Sequence, residues 1–107
     1  MKKYKINYED GARHDILGII DFIESEYSDL YNATKVAARI YQRCEALRVF
    51  PKSFPVRRTW SREKELRAAH IRGYVIIYYV DDEMEIVNIR AVVNSRRDIE
   101  MVLRERV

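Results

Sequence analysis

Residues 65–79 read ELRAAHIRGYVIIYY, and this stretch decides the fold. It contains two extended segments, Glu65–Ile71 and Tyr74–Val80, joined at Arg72-Gly73. A glycine after a polar residue between two such runs marks a tight turn, so the pair is read as a β-hairpin. The second segment is apolar on both faces: Tyr74, Ile76 and Tyr78 point one way, and Val75, Ile77 and Tyr79 the other. One face can be covered by helices of the same chain. A chain of 107 residues has little left for the other, so Val75, Ile77 and Tyr79 are expected to face a partner.

Working outward, the upstream half is helical. Ala12, Ile16, Ile19, Ile20, Ile23 and Tyr27 recur at helical spacing from about Asp10 to Tyr27. Ala33, Val36, Ala37, Ile40, Cys44 and Leu47 trace the inner face of a second helix, which stops before Pro51. Ser28-Asp29 breaks the first helix and can cap the second, which makes an antiparallel helical hairpin. Tyr4–Tyr8 is a short opening strand, expected at a sheet edge or beside the third strand. Lys52–Lys64 is a loop holding Trp60, read as closing the core against the helices. Downstream, Glu85–Val93 is another strand beyond an acidic turn at Asp81–Met84. Arg97–Arg106 is a short last helix with Ile99, Val102 and Leu103 on its apolar side and Asp98 as its cap. The expected fold is α+β: a small antiparallel β-sheet in the order β-α-α-β-β-β with the helical hairpin on one face, in a single domain spanning 1–107.

Bulk properties narrow the class. The longest uninterrupted apolar run is too short to span a membrane. The start, MKKYKINYEDG, lacks the apolar core of a signal peptide. A single cysteine, Cys44, excludes an internal disulfide. These features favour the cytoplasm. The net charge of +3 is modest, but the bases concentrate at Arg57–Arg72 and Arg90–Arg97 while acids dominate the first third. A localised basic surface suits an anionic target, nucleic acid first; a solvated charged surface is the plainer alternative.

The opening strand KYKINY, the helix DILGIIDFIE, the helix end ALRVFP, the segment ELRAAHIRGYVIIYYVDDE, the strand EIVNIRAVV and the tail NSRRDIEMVL, in this order, resemble the RelE/ParE superfamily of toxins from bacterial type II toxin–antitoxin modules. The resemblance runs from Tyr4 to about Leu103. It implies a toxin neutralised by a cognate antitoxin in a hetero-oligomer, with an antitoxin segment wrapped over the fold. RelE-like members cut mRNA in the ribosomal A site; ParE-like members poison DNA gyrase.

The resemblance implies two sets of roles. Cleavage through the RNA 2′-hydroxyl needs a proton acceptor, a proton donor and cations for the developing phosphate charge. His70, Arg67 and Arg96 are the candidate catalytic residues, with Arg72, Arg90 and Arg97 as RNA or phosphate contacts. Arg96 matches the arginine after the last strand, and His70 is the one residue able to restore acid–base chemistry. Val75 stands where RelE-type strands carry an arginine, Met101 or Val102 where they carry a tyrosine, and no lysine pair precedes Gly73. Gathering of cations at one sheet end favours ribosome-dependent mRNA cleavage, with ribosome and mRNA as partners. Non-enzymatic poisoning of gyrase is the alternative, in which His70 is a surface residue and the basic residues serve as contacts; the plainer reading of the arginines is pairing with acids, including those of an antitoxin. His14 reads as solvent-exposed, and Cys44 as a buried inert thiol. No metal or cofactor motif is present.

Overall fold

The computed structural model describes residues 3–106. Its elements are β1 (Lys5–Tyr8), α1 (Asp10–Tyr27), α2 (Leu30–Ala46), a 3-10 turn (Arg58–Trp60), β2 (Arg67–Ile71), β3 (Tyr74–Asp81), β4 (Ile86–Asn94) and α3 (Ile99–Glu105). The architecture is α+β, as the residue pattern predicts. The sheet order is β1-β4-β3-β2. β2, β3 and β4 pair antiparallel, whereas β1 lies at the edge parallel to β4, with Tyr8 beside Ile89. The sheet is therefore mixed. Chain direction requires this: β1 leaves directly into α1, which must cross the sheet along β4, so β1 runs in the same sense as β4.

Capping chemistry fixes the helix ends. Ser28 takes a left-handed conformation with φ 51° and closes α1. The Asp29 carboxylate accepts from the Asn32 backbone N–H at 2.9 Å and opens α2. Asp98 does the same for α3 through the Met101 N–H at 3.2 Å. Gly73 sits at φ 87° in the β2–β3 turn, a conformation a Cβ would strain.

Two cores result, one on each sheet face. Beneath α1 and α2 lie Ala12, Ile16, Ala37, Ile40, Cys44, Leu47, Ala69, Ile76, Tyr78, Val87, Ile89 and Val92. On the opposite face Leu66, Ala68, Val75, Ile77, Ala91, Val93 and Val102 form a second cluster, flanked by Trp60, Tyr79, Ile99 and Leu103. This overturns the expected uncovered face. Val75 and Ile77 are 4% and 0% exposed, because α3 and the segment around Trp60 fold back over them. They do not await a partner in this structure, and Tyr79 is half-buried beside them. Trp60 likewise closes the second core, against α3 rather than against the long helices.

A carboxylate locks the cover in place. Asp15 on α1 accepts from Arg106 Nη1 at 2.8 Å and Nη2 at 2.5 Å, and from the Val92 backbone N–H at 2.8 Å. One side chain thus joins α1, β4 and the residue after α3. Thr59 adds a tie to α3 by donating to Glu100 Oε1 at 2.8 Å. Among the described residues no helix is long and apolar enough to cross a membrane.

Candidate functional site

The residues expected to act together divide between opposite faces of the sheet. Side chains alternate along a strand, and on β2 Ala69 belongs to the helix-side core while Ala68 belongs to the other. His70 therefore sides with Ala68, and Arg67 with Ala69. Arg67 lies half-buried next to Tyr78. Its Nη1 donates to the Lys52 carbonyl at 3.1 Å and to the Phe54 carbonyl. Tyr78 reinforces the same loop, its hydroxyl donating to the Pro51 carbonyl at 2.6 Å. Arg67 thus staples the loop after α2 to the sheet. It cannot meet a phosphate held at His70.

His70 is exposed on the edge strand β2. It pairs with Val75, which pairs with Val93, so two apolar residues occupy its row across the sheet. Its own carbonyl accepts from Arg43 Nε at 3.2 Å. At the same end of the sheet the β2–β3 turn is tied to the end of β4, with the Ser95 N–H donating to the Gly73 carbonyl at 3.0 Å. Asn94 holds the chain that follows: its side-chain oxygen accepts from the Arg96 N–H at 2.9 Å, and its carbonyl from the Arg97 N–H at 3.0 Å. Arg72, Arg96 and Arg97 are exposed there. No side-chain hydrogen bond or ion pair of these three occurs among the described residues. The row spacing puts His70 about 10 Å from the β4 backbone, two strand widths away.

Arg90 belongs elsewhere. It is the extra residue of a bulge in β4, where Ile77 pairs with Ala91 and Tyr78 with Ile89. Its Nε donates to Glu9 Oε1 at 3.1 Å, and the Tyr79 hydroxyl donates to Glu9 Oε2 at 2.6 Å. The guanidinium also lies 4.9 Å from the Tyr79 ring centre. Burial and the bond to Glu9 push the Tyr79 phenol above its ordinary range. Glu9 and Arg90 form one wall of a cleft of about 720 Å³ between the start of α1, residues 59–63 and α3. Trp60, Leu66 and Leu103 line it together with Arg62, Arg104 and Arg106. Sequence reasoning missed this cleft, since its walls come from four separated segments.

Other side chains stand as expected. His14 is exposed on α1. Cys44 is fully buried, and burial, with Glu45 adjacent, pushes its thiol up to about 12, so it carries no nucleophilic thiolate at neutral pH. Among the described residues no His, Cys, Asp or Glu group is arranged to hold a metal.

Comparison with known proteins places this geometry in context. A family model described as the ParE toxin of the parDE type II toxin–antitoxin system matches residues 6–99. No curated protein sequence matches the chain. Among solved structures, the chain is similar to one in the RelBE2 toxin–antitoxin complex of Mycobacterium tuberculosis, with 19% identity, a TM-score of 0.66, and 91% of this chain and 97% of that one covered. It is similar also to a chain of the chromosomal ParDE system of P. aeruginosa, with 14% identity, a TM-score of 0.71, and 86% and 96% covered. At these identities the likeness carries the fold.

Proposed function

This chain belongs to the ParE toxin family of type II toxin–antitoxin systems, within the RelE/ParE superfamily, and on that premise we propose that it arrests growth by binding DNA gyrase rather than by cutting RNA. A cognate antitoxin holds it in check. The observation that carries the binding mode is the dispersal of the candidate cleavage set. Arg67 faces the long helices and is bonded to two loop carbonyls, while His70 lies on the other face. Val75, at the position where RelE-type strands carry a cation, is 4% exposed. Phosphodiester cleavage needs base, acid and cation within hydrogen-bond reach of one phosphate, and the face that presents His70 has neither Arg67 nor a cation at position 75. A gyrase poison needs a complementary surface and no such convergence.

Exposed Arg72, Arg96 and Arg97 near His70 favour a second reading, ribosome-dependent mRNA cleavage with His70 as the acid–base group. Brief induction in bacteria separates the two. The gyrase reading expects trapped gyrase–DNA breaks, intact mRNA and unchanged growth arrest in His70→Ala. New mRNA 5′ ends inside codons that vanish in His70→Ala or Arg96→Ala would overturn it in favour of cleavage.

A further inference from the structure

α1 and α2 outrun the sheet that supports them. Asp15 sits beside Val92. Beyond Asp15, α1 continues for 12 residues, about 18 Å. Beyond Val92, β4 continues for two, about 7 Å. The buried stripe of α1 therefore runs past the core: Ile16 is 1% and Ile23 7% exposed, but Tyr27, next on the same stripe, is 68% exposed. Leu30 and Tyr31 open α2 at 56% and 73%, and Phe22 is 57% exposed with its ring edge-on to Tyr27 at 6.3 Å. Four of the nine large exposed apolar side chains among the described residues thus fall within ten residues at the hairpin tip. Among the described residues, the one further ring contact at the tip is the Lys35 ammonium, 5.2 Å from the Tyr31 ring centre.

The charge around this apolar knob is mostly negative, with Lys35 over Tyr31 as the exception. Asp21, Glu24, Glu26 and Asp29 lie in it, and no Lys or Arg occurs between His14 and Lys35. Apart from the Asp29 cap, these acids have no hydrogen bond or ion pair among the described residues. The sheet end past which the hairpin projects carries the exposed Arg72, Arg96 and Arg97, because Tyr74 pairs there with both Ile71 and Asn94.

We infer that the hairpin tip, Phe22, Tyr27, Leu30 and Tyr31 within their acidic collar, is the surface that docks on the toxin's protein target, and that it seats in a basic, apolar-lined groove of the kind that otherwise holds DNA. The identification of that target as gyrase rests on the reading above. Exposed aromatics on a protruding knob supply anchors for a pocket, and a collar of carboxylates selects a basic wall and steers approach to it. The Lys/Arg-lined phosphate track of a DNA-handling enzyme has this chemistry.

The test uses purified gyrase, plasmid DNA and antitoxin-free chain, with trapped breaks as readout. Three variants are compared with wild type, each required to melt within a few degrees of it: Tyr27→Ser/Tyr31→Ser, Glu24→Lys/Glu26→Lys, and Met84→Ser as a control at an equally exposed apolar residue in the β3–β4 turn. The first two are expected to need at least tenfold more protein for the same breaks, and the control to match wild type. Wild-type potency in both tip variants would overturn the docking surface while leaving the gyrase reading intact. Loss in the aromatic variant alone would overturn the basic character of the groove. Equal loss in Met84→Ser, or tip-dependent self-association of the chain, would overturn the assignment to a target. A wild-type chain that traps no breaks would overturn both the docking inference and the gyrase reading.

Discussion

Arg67 and Tyr78 show how a side chain of catalytic type can be consumed by the fold. Both clamp the loop after α2, Arg67 through the carbonyls of Lys52 and Phe54 and Tyr78 through that of Pro51. Arg67→Ala is expected to cost about 1–3 kcal/mol of stability, the range for hydrogen bonds from a charged donor, read as a lower urea midpoint with growth arrest preserved when expression is matched. Tyr78→Phe leaves the Pro51 carbonyl unpaired in a buried setting and is expected to cost about 1–2 kcal/mol by the same measurement. The alternation rule already separates Arg67 from His70 in the sequence, since an odd spacing on a strand places two side chains on opposite faces. What the sequence withholds is the partner of Arg67, because the carbonyls it holds lie 13 and 15 residues upstream in a loop without periodicity. Two buried groups also set a pH limit. Burial raises the Tyr78 phenol from 10.0 to about 12, against the nearby charges of Arg67 and Arg43, and raises the Cys44 thiol from 9.0 to about 12. Both are neutral in the fold and ionise more readily when unfolded. Their contribution is therefore complete below about pH 9 and is lost as pH rises through about 12. Circular dichroism is expected to show an intact fold at pH 8 and progressive loss above pH 9, with Cys44 unreactive to thiol reagents until that loss begins.

At the scale of elements, the second face of β3 is the instructive case. A strand apolar on both sides requires two covers. The long helices supply one, and their pattern, the β2–β3 hairpin and the α3 cap at Asp98 are all legible from spacing and capping residues. The other cover is α3 itself. Ile99, Val102 and Leu103 mark its apolar side in the sequence, but seven residues give too weak a signal to assign that side to the strand. The edge pairing of β1 with β4 is non-local too, spanning about eighty residues, and hydrophobic period alone does not state it. Asp15 is the tie that makes α3 an effective cover. Asp15→Ala removes the acceptor of Arg106 and strands the Val92 N–H, and is expected to cost about 2–4 kcal/mol. Hydrogen exchange is expected to quicken first in α3 and at Val92. Removal of residues 99–107 would bare Val75, Ile77 and Val93, so the shortened chain is expected to aggregate when made alone.

The whole molecule is electrically divided by element: the hairpin tip is acidic and apolar, and the exposed Arg72, Arg96 and Arg97 follow the strands at the sheet end past which it projects. That division suits a protein with two partners of opposite charge, an antitoxin and a target. An antitoxin that binds only the folded chain is expected to stabilise it by about 2.7 kcal/mol at a hundredfold excess over its Kd, seen as a concentration-dependent rise in melting temperature. The family is legible in the sequence because order and spacing of elements survive where single residues change; the target is not, because a binding surface on a helical tip needs no fixed motif. The most direct test of binding without cleavage is the mapping of mRNA 5′ ends after brief induction of wild type and His70→Ala. The account predicts full growth arrest by both proteins with no new ends inside translated codons. Codon-internal cuts by wild type that disappear in His70→Ala would contradict it.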